Sequence, residues 1–187
     1  MGLTKYKLGE LIQLSEAKNV DNKYDLESLK GISIKKRFIE TKADMDGVSL
    51  KSYLIVPPDH FAYVTVTSRN GEKITIAHND TINTYIVSSS YVAFRVCKPE
   101  ILSSDYLFMF FNRPEFDRYS RFCSWGSARE TFSWDEMQDI SITLPSIQTQ
   151  KKFADIFKAM GSSEAYRHLL DVICPILIKG SLEEASA

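Results

Sequence analysis

The chain has 187 residues, of which 44% are hydrophobic and 25% charged, and its formal net charge is −1. This length and composition are typical of one globular domain with its own core, and they exclude a disordered or collagen-like chain. No run approaches the ~20 apolar residues of a membrane helix, and the first residues lack an apolar signal region, so we expect a cytoplasmic protein. Cys97, Cys123 and Cys174 are too far apart for a disulfide framework or a short-spaced zinc motif, and we expect reduced thiols.

The charge is unevenly distributed along the chain. Residues 1–129 carry 18 Lys+Arg against 15 Asp+Glu, whereas residues 130–187 carry 5 against 9. A mildly basic body with an acidic end is compatible with nucleic acid at one part and protein at the other. Because the excess of positive charge is small, any DNA affinity should come from a few placed basic side chains or from a partner subunit.

Short strand-like runs fill the first hundred residues, after a helical turn near residues 8–12. The runs are rich in Val, Ile, Thr and Tyr and are separated by turn residues, which predicts a sheet-forming region. They cover residues 29–34, 53–56, 62–67, 73–77, 84–87 and 91–96. The Asn70-Gly71 pair favours a type I′ turn in a tight hairpin that joins residues 63–67 to residues 73–76.

The pattern becomes helical after residue 102. Potential N-caps at residues 103–105 precede an aromatic helical run over residues 106–111. A proline opens a second predicted helix over residues 114–122, and a capping box at residues 133–136 predicts a third, short helix. Residues 140–144 then alternate between apolar and polar, as in a half-exposed strand.

The last part of the chain, residues 146–187, predicts a helical arm with an uncovered apolar stripe. The predicted dimerisation residues on this stripe are Phe153, Ile156, Phe157, Met160, Leu169, Leu170 and Ile173. The first four share one helix face, and the last three fall out of phase with them after Gly161. A stripe without a second domain to cover it favours pairing with another chain. We therefore expect an α+β fold, with a compact mixed α/β body over residues 1–145 and a helical dimerisation arm over residues 146–187.

The sequence holds no recognisable catalytic, cofactor or metal motif. Its eight glycines form no Gly-x-Gly turn or phosphate loop, which argues against a nucleotide or S-adenosylmethionine pocket. His60, His78 and His168 lie far apart and pair with no cysteine, and no Gly-x-Ser-x-Gly elbow is present. We therefore expect a non-catalytic protein with no cofactor and no metal site.

Basic, amide and hydroxyl side chains in loops are the remaining functional candidates. Arginine pairs bidentately with guanine and asparagine with adenine, while lysine and serine suit phosphate oxygens. The candidate DNA-binding residues are Lys35, Lys36, Arg37, Arg69, Asn70, Lys73, Arg121, Ser127 and Arg129. Trp125 offers a surface for a sugar or a wedge beside a base, although a position in the core is the favoured interpretation for a tryptophan.

The order of several short segments resembles the target-recognition domain of specificity (S) subunits in type I restriction-modification systems. The matching segments are residues 6–11, 29–33, 53–57, 61–63, 90–94, 104–107, 126–129 and 140–145, which run into 148–157. Residues 174–185 are also similar to the C-terminus of such subunits. The resemblance therefore extends over most of the chain.

This resemblance implies a non-catalytic reader of double-stranded DNA. Subunits of this family usually carry two recognition domains held apart by two helices, and each domain reads one half of a bipartite target. Methyltransferase (M) subunits bring the S-adenosylmethionine chemistry, and a restriction (R) subunit brings ATP-driven translocation and cleavage. This chain has one recognition domain and one arm, so it looks like a half-S subunit whose homodimer, formed through residues 146–187, would mimic a full S subunit.

Other functions stay open from the residues alone. One alternative is the recognition portion of a fused restriction-methyltransferase, whose catalytic sequence would lie elsewhere. A second is a protein-binding adaptor that uses the helical arm and never touches DNA, which the near-neutral charge favours slightly. An enzyme is the third, and turnover by the isolated chain would support it.

Overall fold

The structure is a computed structural model. It describes residues 3–41, 45, 47–67, 73–126 and 130–160. Within these residues lie ten short strands and four α-helices. The strands are β1 Thr4–Lys7, β2 Ile12–Leu14, β3 Lys30–Ile32, β4 Phe38–Glu40, β5 Leu54–Val56, β6 His60–Val64, β7 Ile76–His78, β8 Tyr85–Val87, β9 Tyr91–Val96 and β10 Ser141–Leu144. The helices are α1 Ser104–Phe111, α2 Pro114–Phe122, α3 Trp134–Gln138 and α4 Ile147–Met160. The turn expected near residues 8–12 is a 3-10 turn at Leu8–Glu10. No helix within these residues is long and apolar enough to cross a bilayer.

Four antiparallel strands form the main sheet, in the order β2-β9-β6-β7. The central pair sets Phe61 opposite Phe94 and Tyr63 opposite Val92, and the first three of these side chains are fully buried. The predicted aromatic helix α1 packs on them, since the Phe111 ring meets the Phe61 ring edge-on with centroids 5.8 Å apart. The core of the body therefore lies between this sheet and α1.

Three two-stranded antiparallel ladders surround the main sheet: β1 with β10, β3 with β4, and β5 with β8. In the first, Thr4 lies opposite Leu144, so the start of the chain is paired with the strand predicted over residues 140–144. The predicted alternation of β10 is confirmed, because Ile142 and Leu144 are buried while Ser141 and Thr143 are exposed.

The tight hairpin predicted at Asn70-Gly71 is wrong. Strands β6 and β7 do pair, but Tyr63 lies opposite Ile76, two residues from the register that a two-residue turn would impose. At the end of β6 the Val64 amide still donates to the Thr75 carbonyl at 2.9 Å, and the opposite edge of the segment pairs with residues near Thr131, since the Phe132 amide donates to the Thr65 carbonyl at 2.8 Å. Residues 68–72 themselves lie outside the described residues.

The helix starts follow local signals in two of three cases. Helix α2 begins at Pro114, as predicted, and α3 begins after Ser133, whose hydroxyl accepts a hydrogen bond from the Glu136 amide at 3.2 Å. Helix α1 begins after Ser103, whose side chain makes no capping hydrogen bond. These three helices agree closely with the expected ranges.

Helix α4, the first part of the predicted arm, packs against the body. Gln150 is fully buried, and its amide group donates to the carbonyls of Ile101 at 2.8 Å and Pro145 at 2.9 Å. The Gln150 side-chain oxygen accepts a hydrogen bond from the Ser103 amide at 3.0 Å. This packing places α4 with the body, whereas the predicted boundary separates them after residue 145.

The predicted dimerisation residues on α4 fall into two environments. Phe153 and Phe157 are half-buried against the body core, which leaves little of either side chain for a second chain. Ile156 is 48% exposed on another side of the helix. The side chain of Met160 and the residues Leu169, Leu170 and Ile173 lie outside what the structure describes.

Candidate nucleic-acid interface

The turn between β3 and β4 carries the first group of predicted DNA contacts. The Ser33 amide donates to the Arg37 carbonyl and the Lys36 amide donates to the Ser33 carbonyl, each at 2.9 Å. These bonds close a type I turn that is followed by one left-handed residue. Lys36 is that residue, with a φ of 58°, a conformation that costs a side-chain-bearing residue ~1–2 kcal/mol.

The Lys36 side chain is buried and already paired. It is 4% exposed, and its Nζ lies 2.7 Å from Asp117 Oδ1 on α2. The same ammonium group donates to the Phe111 carbonyl at the end of α1. Burial lowers the pKa of Lys36, and the Asp117 carboxylate opposes this by favouring the charged form. The interpretation of Lys36 as a DNA contact is therefore corrected, because its ammonium group is buried within the fold.

Three other predicted contacts, Lys35, Arg37 and Lys73, are exposed around this buried pair. Lys73 is close enough for its positive charge to help lower the pKa of Lys36. It directly precedes Ile74, whose amide donates to Asp117 Oδ1 at 3.2 Å. The structure thus brings the β3–β4 turn and Lys73 together around one carboxylate.

Arg121 extends this basic cluster along α2, one turn beyond Asp117. The helix buries Phe116, Asp117 and Ser120 and directs its other side to solvent. Arg121 Nη1 lies 2.8 Å from Glu130 Oε2, and the two side chains are 43% and 41% exposed. Ion pairs this exposed contribute only ~0–1 kcal/mol, so a phosphate or a guanine edge can replace Glu130 at low cost.

The remaining predicted contacts, Arg69, Asn70, Ser127 and Arg129, lie outside the described residues. The described stems of their two loops nevertheless pair with each other. The Thr67 amide donates to the Glu130 carbonyl at 2.9 Å, and the Thr67 hydroxyl donates to Ser124 Oγ at 2.9 Å. Both loops therefore leave the body from one edge, beside Lys73 and Arg121.

We call the surface formed by residues 33–37, Lys73, residues 113–125 and Glu130 the basic face. Its basic residues are Lys35, Lys36, Arg37, Lys73, Arg113, Arg118 and Arg121. Its acidic residues are Glu115, Asp117 and Glu130. Lys36 and Asp117 neutralise each other in the interior, so six positive and two negative groups remain at the surface of this face. Glu136 on α3 borders it, because its carboxylate reaches the Cys123 thiol. The local balance still contrasts with the net charge of −1 for the whole chain. Such a local excess of positive charge attracts a polyanion.

Sequence reasoning missed Phe122 and placed Trp125 beside a sugar or base only as the less favoured interpretation. Phe122, at the end of α2, is 82% exposed, and Trp125 is 71% exposed. The core position favoured for Trp125 is therefore wrong. For Phe122 a signal was present, because it lies four residues after Arg118 and outside the buried stripe that Phe116 and Ser120 form.

A groove of about 560 Å³ lies beside the β3–β4 turn, between β7, α1 and α4. It is lined by charges of both signs, and several are paired within the fold. Lys158 on α4 lies 2.7 Å from Asp105 on α1, and the buried His78 lies 3.1 Å from Asp59. The hydrogen bond with His78 is the main cause that holds the pKa of Asp59 below its ordinary value. The Lys158–Asp105 pair links α4 to the body. The lining residues of the groove carry four positive groups, Lys35, Lys36, Arg37 and Lys158, against Asp80 and Asp105.

The described residues offer no group of three or more His, Cys, Asp or Glu side chains that could hold a metal ion. The two described cysteines, Cys97 and Cys123, are free thiols. Burial raises the pKa of the Cys123 thiol, which disfavours the nucleophilic thiolate form.

Comparison with protein families identifies one match. The family model for the type I restriction modification DNA specificity domain matches residues 2–168. Among curated proteins, none matches the chain.

Several solved structures are similar in fold. The type I restriction-modification S subunit from M. genitalium is 10% identical with a TM-score of 0.52, over 86% of this chain and 39% of that one. The HsdS subunit from Thermoanaerobacter tengcongensis is 15% identical with a TM-score of 0.61, over 98% and 49%. A chain from a structure of complex assembly and conformational transition in the type I R-M system is 14% identical with a TM-score of 0.63, over 98% and 49%. The expected α+β fold is thus confirmed, and the chain spans less than half the length of each of these proteins.

Proposed function

The chain belongs to the family of type I restriction modification DNA specificity domains, and from this premise we propose that it reads one half of a bipartite DNA target for a type I restriction-modification enzyme. The family match over residues 2–168 carries this proposal. Four of the nine residues selected from sequence, Lys35, Arg37, Lys73 and Arg121, are exposed on the basic face and support it, whereas Lys36 is buried.

Docking begins with the charges of the basic face. Lys35, Arg37 and Lys73 contact phosphates and set the position of the body on the duplex. Their affinity depends on salt, since each neutralised phosphate releases counterions. Lys36 stays buried and fixes the turn that presents its two neighbours.

Base reading follows from Arg121 and from the two loops that leave the same edge. Arg121 exchanges Glu130 for a guanine edge or a phosphate. Arg69, Asn70, Ser127 and Arg129 complete the contacts from the loops in the major groove. Each good bidentate contact supplies ~1–3 kcal/mol of discrimination between bases.

The partners in this proposal are M subunits, which modify the DNA, and an R subunit, which translocates and cleaves it. The chain selects the DNA site and takes no part in making or breaking bonds. This role agrees with the family description, which is that of a specificity domain.

A second copy of the chain completes the bipartite reader. Ile156 on α4 is 48% exposed and offers an apolar side chain to a second chain. Pairing through Ile156 and residues 161–187 would favour a symmetric, interrupted target. Light scattering should show a dimer at roughly tens of micromolar, and a monomer at that concentration would count against the pairing.

Fluorescence anisotropy of a labelled duplex tests DNA reading. The full chain with M subunits should bind the duplex. A plot of log affinity against log salt concentration should be a straight line, with a slope of ~−0.9 for each phosphate that is neutralised. If the chain assembles with M subunits but the assembly retains no duplex even at low salt, the adaptor alternative is correct.

A further inference from the structure

Phe122 and Trp125 are two exposed aromatic side chains of the basic face, three residues apart in the chain. We infer that these two rings stack on DNA bases when the basic face lies on a duplex. The inference rests on the proposed function, which supplies the duplex, and it adds a class of contact that charge and hydrogen bonding do not provide.

The exposure of the two rings is unusual for this protein. At 82% and 71% exposed, they are the most exposed aromatic side chains in the part of the chain that the structure describes. The neighbouring Tyr119 is 36% exposed, and its ring packs on Phe132 with centroids 6.3 Å apart. A ring left in water loses the stabilisation that burial in the core would give it, so a binding role accounts for this exposure better than packing does.

The backbone under Phe122 is held in place. Helix α2 is fixed from below by Phe116, whose ring lies 4.7 Å from that of Phe111 in the core. The Ser120 hydroxyl donates to the Phe116 carbonyl at 2.7 Å, and the Ser124 hydroxyl donates to the Ser120 carbonyl at 2.6 Å. The end of α2 is therefore ordered before any ligand arrives.

The backbone under Trp125 is held equally well. Its amide donates to the Thr131 carbonyl at 3.2 Å, and its carbonyl accepts from the Thr131 amide at 3.0 Å. This reciprocal pair closes the loop of residues 126–130 at its base. A preordered backbone reduces the entropy that is lost on binding, which favours contact by both rings.

The positive charge near Phe122 and Trp125 favours DNA as the ligand that the two rings contact. Arg118 and Arg121 lie on the same exposed side of α2 as Phe122, and the whole basic face carries four more positive than negative groups. Proteins that bind single strands place aromatic rings beside a basic groove, so that the rings stack on bases while basic side chains hold the phosphates. Arg118 lies 3.4 Å from Glu115 and Arg121 lies 2.8 Å from Glu130, and phosphates would compete with these exposed carboxylates.

Stacking on a duplex requires that a base step opens. Apolar wedges pay a few kcal/mol of unstacking and gain contact in return. Pyrimidine–purine steps open most easily. We therefore place the two rings at such a step within or beside the half-site.

The intrinsic fluorescence of Trp125 tests the inference directly. The chain has one other tryptophan, Trp134, which is half-buried with its ring 5.4 Å from that of Phe94. The difference between the native chain and Trp125→Phe therefore isolates the emission of Trp125. The probes are a short mixed-sequence duplex at low salt and the same duplex with 2-aminopurine at successive positions.

We expect the duplex to quench the emission of Trp125 and 2-aminopurine to brighten at the contacted step. Trp125→Ala and Phe122→Ala should each weaken binding by about 5- to 150-fold, which corresponds to the loss of one stacked base. Trp125→Phe should retain part of the affinity. Val20→Ala, which shortens a 58% exposed apolar side chain outside the basic face, should leave binding unchanged.

Three results would overturn the inference, and they are distinguishable. Binding with unquenched Trp125 and unchanged affinity in both alanine variants would remove the stacking and leave the proposed function standing. A change of emission that M subunits cause without DNA would assign the rings to a protein interface. No binding of any duplex would overturn both the stacking and the proposed function.

Discussion

Three consecutive basic residues, Lys35, Lys36 and Arg37, look alike in the sequence but play different parts. The left-handed conformation at Lys36 turns its side chain inward, and the two neighbours stay exposed. The partner that holds Lys36 is Asp117, which is 81 residues away in the chain. No local pattern connects the two, so sequence alone could not separate the buried lysine from the exposed ones.

Replacing Lys36 should therefore affect stability more than DNA binding. Lys36→Met leaves Asp117 charged, buried and without its cation, which should cost ~3–5 kcal/mol of the free energy of unfolding. Urea denaturation measures this loss. Lys35→Met is the matched control and should stay within ~0.5 kcal/mol of the native chain.

The double variant Lys36→Met with Asp117→Leu should recover part of the stability, because no buried charge is left unpaired. If Lys36→Met kept full stability but lost affinity for the duplex, Lys36 would be a DNA contact and this account of its role would be wrong.

Asp59 contributes a pH-dependent part of the stability. Its carboxylate lies beside His78 and accepts a hydrogen bond from the Ser104 hydroxyl at 3.0 Å, and its pKa lies below its ordinary value in the folded chain. A carboxyl group with a lowered folded pKa stabilises the fold above its unfolded pKa and loses that effect as pH falls through the folded pKa. Because the Asp59 side chain is 71% exposed, solvent screening limits the contribution to about 1 kcal/mol.

Asp59→Asn should accordingly be less stable than the native chain at neutral pH, and the difference should shrink as the pH falls below the ordinary aspartate pKa of about 3.9. Denaturant titrations across this range measure the difference. A gap that stayed constant with pH would show that the ionisation of Asp59 does not stabilise the fold.

Helices and strands differ in how well local sequence predicts them. Helix α2 is bounded by a proline and α3 by a capping serine, signals that act within a few residues. Strands β1 and β4 were missed because neither alternates clearly, and each forms through its partner, β10 for the first and β3 for the second. The register after β6 depends on pairing with residues near Thr131, which a hairpin signal at Asn70-Gly71 cannot reveal.

Helix α2 should carry part of the salt-dependent affinity through Arg121. Arg121→Gln removes one positive charge from the basic face and should lower the salt slope of duplex binding by about 1 if the arginine meets a phosphate. Glu130→Gln removes the competing carboxylate and should strengthen binding. Anisotropy titrations at several salt concentrations measure both effects.

Lys18→Gln serves as the control for charge alone, because Lys18 is exposed and outside the basic face. It should change the slope less than Arg121→Gln does. Equal changes from the two variants would mean that α2 makes no direct contact with DNA.

For the chain as a whole, the family could be predicted from the order of short segments, and so could the α+β body. The division into body and arm stays a prediction, although Gln150 and Phe153 pack α4 against the body through contacts that periodicity does not show. The basic face could be predicted only in part. Basic loop residues were recognised by type, whereas the exposure of Phe122 and Trp125 depends on how α2 packs.

A genome-wide map of methylated adenines tests most directly whether this chain selects the DNA site at which a partner enzyme acts. A host without a type I system would express the M subunits alone, or together with this chain. We predict that a bipartite motif becomes methylated only when the chain is present. The same methylation pattern in both cultures would contradict the proposal that this chain selects the site.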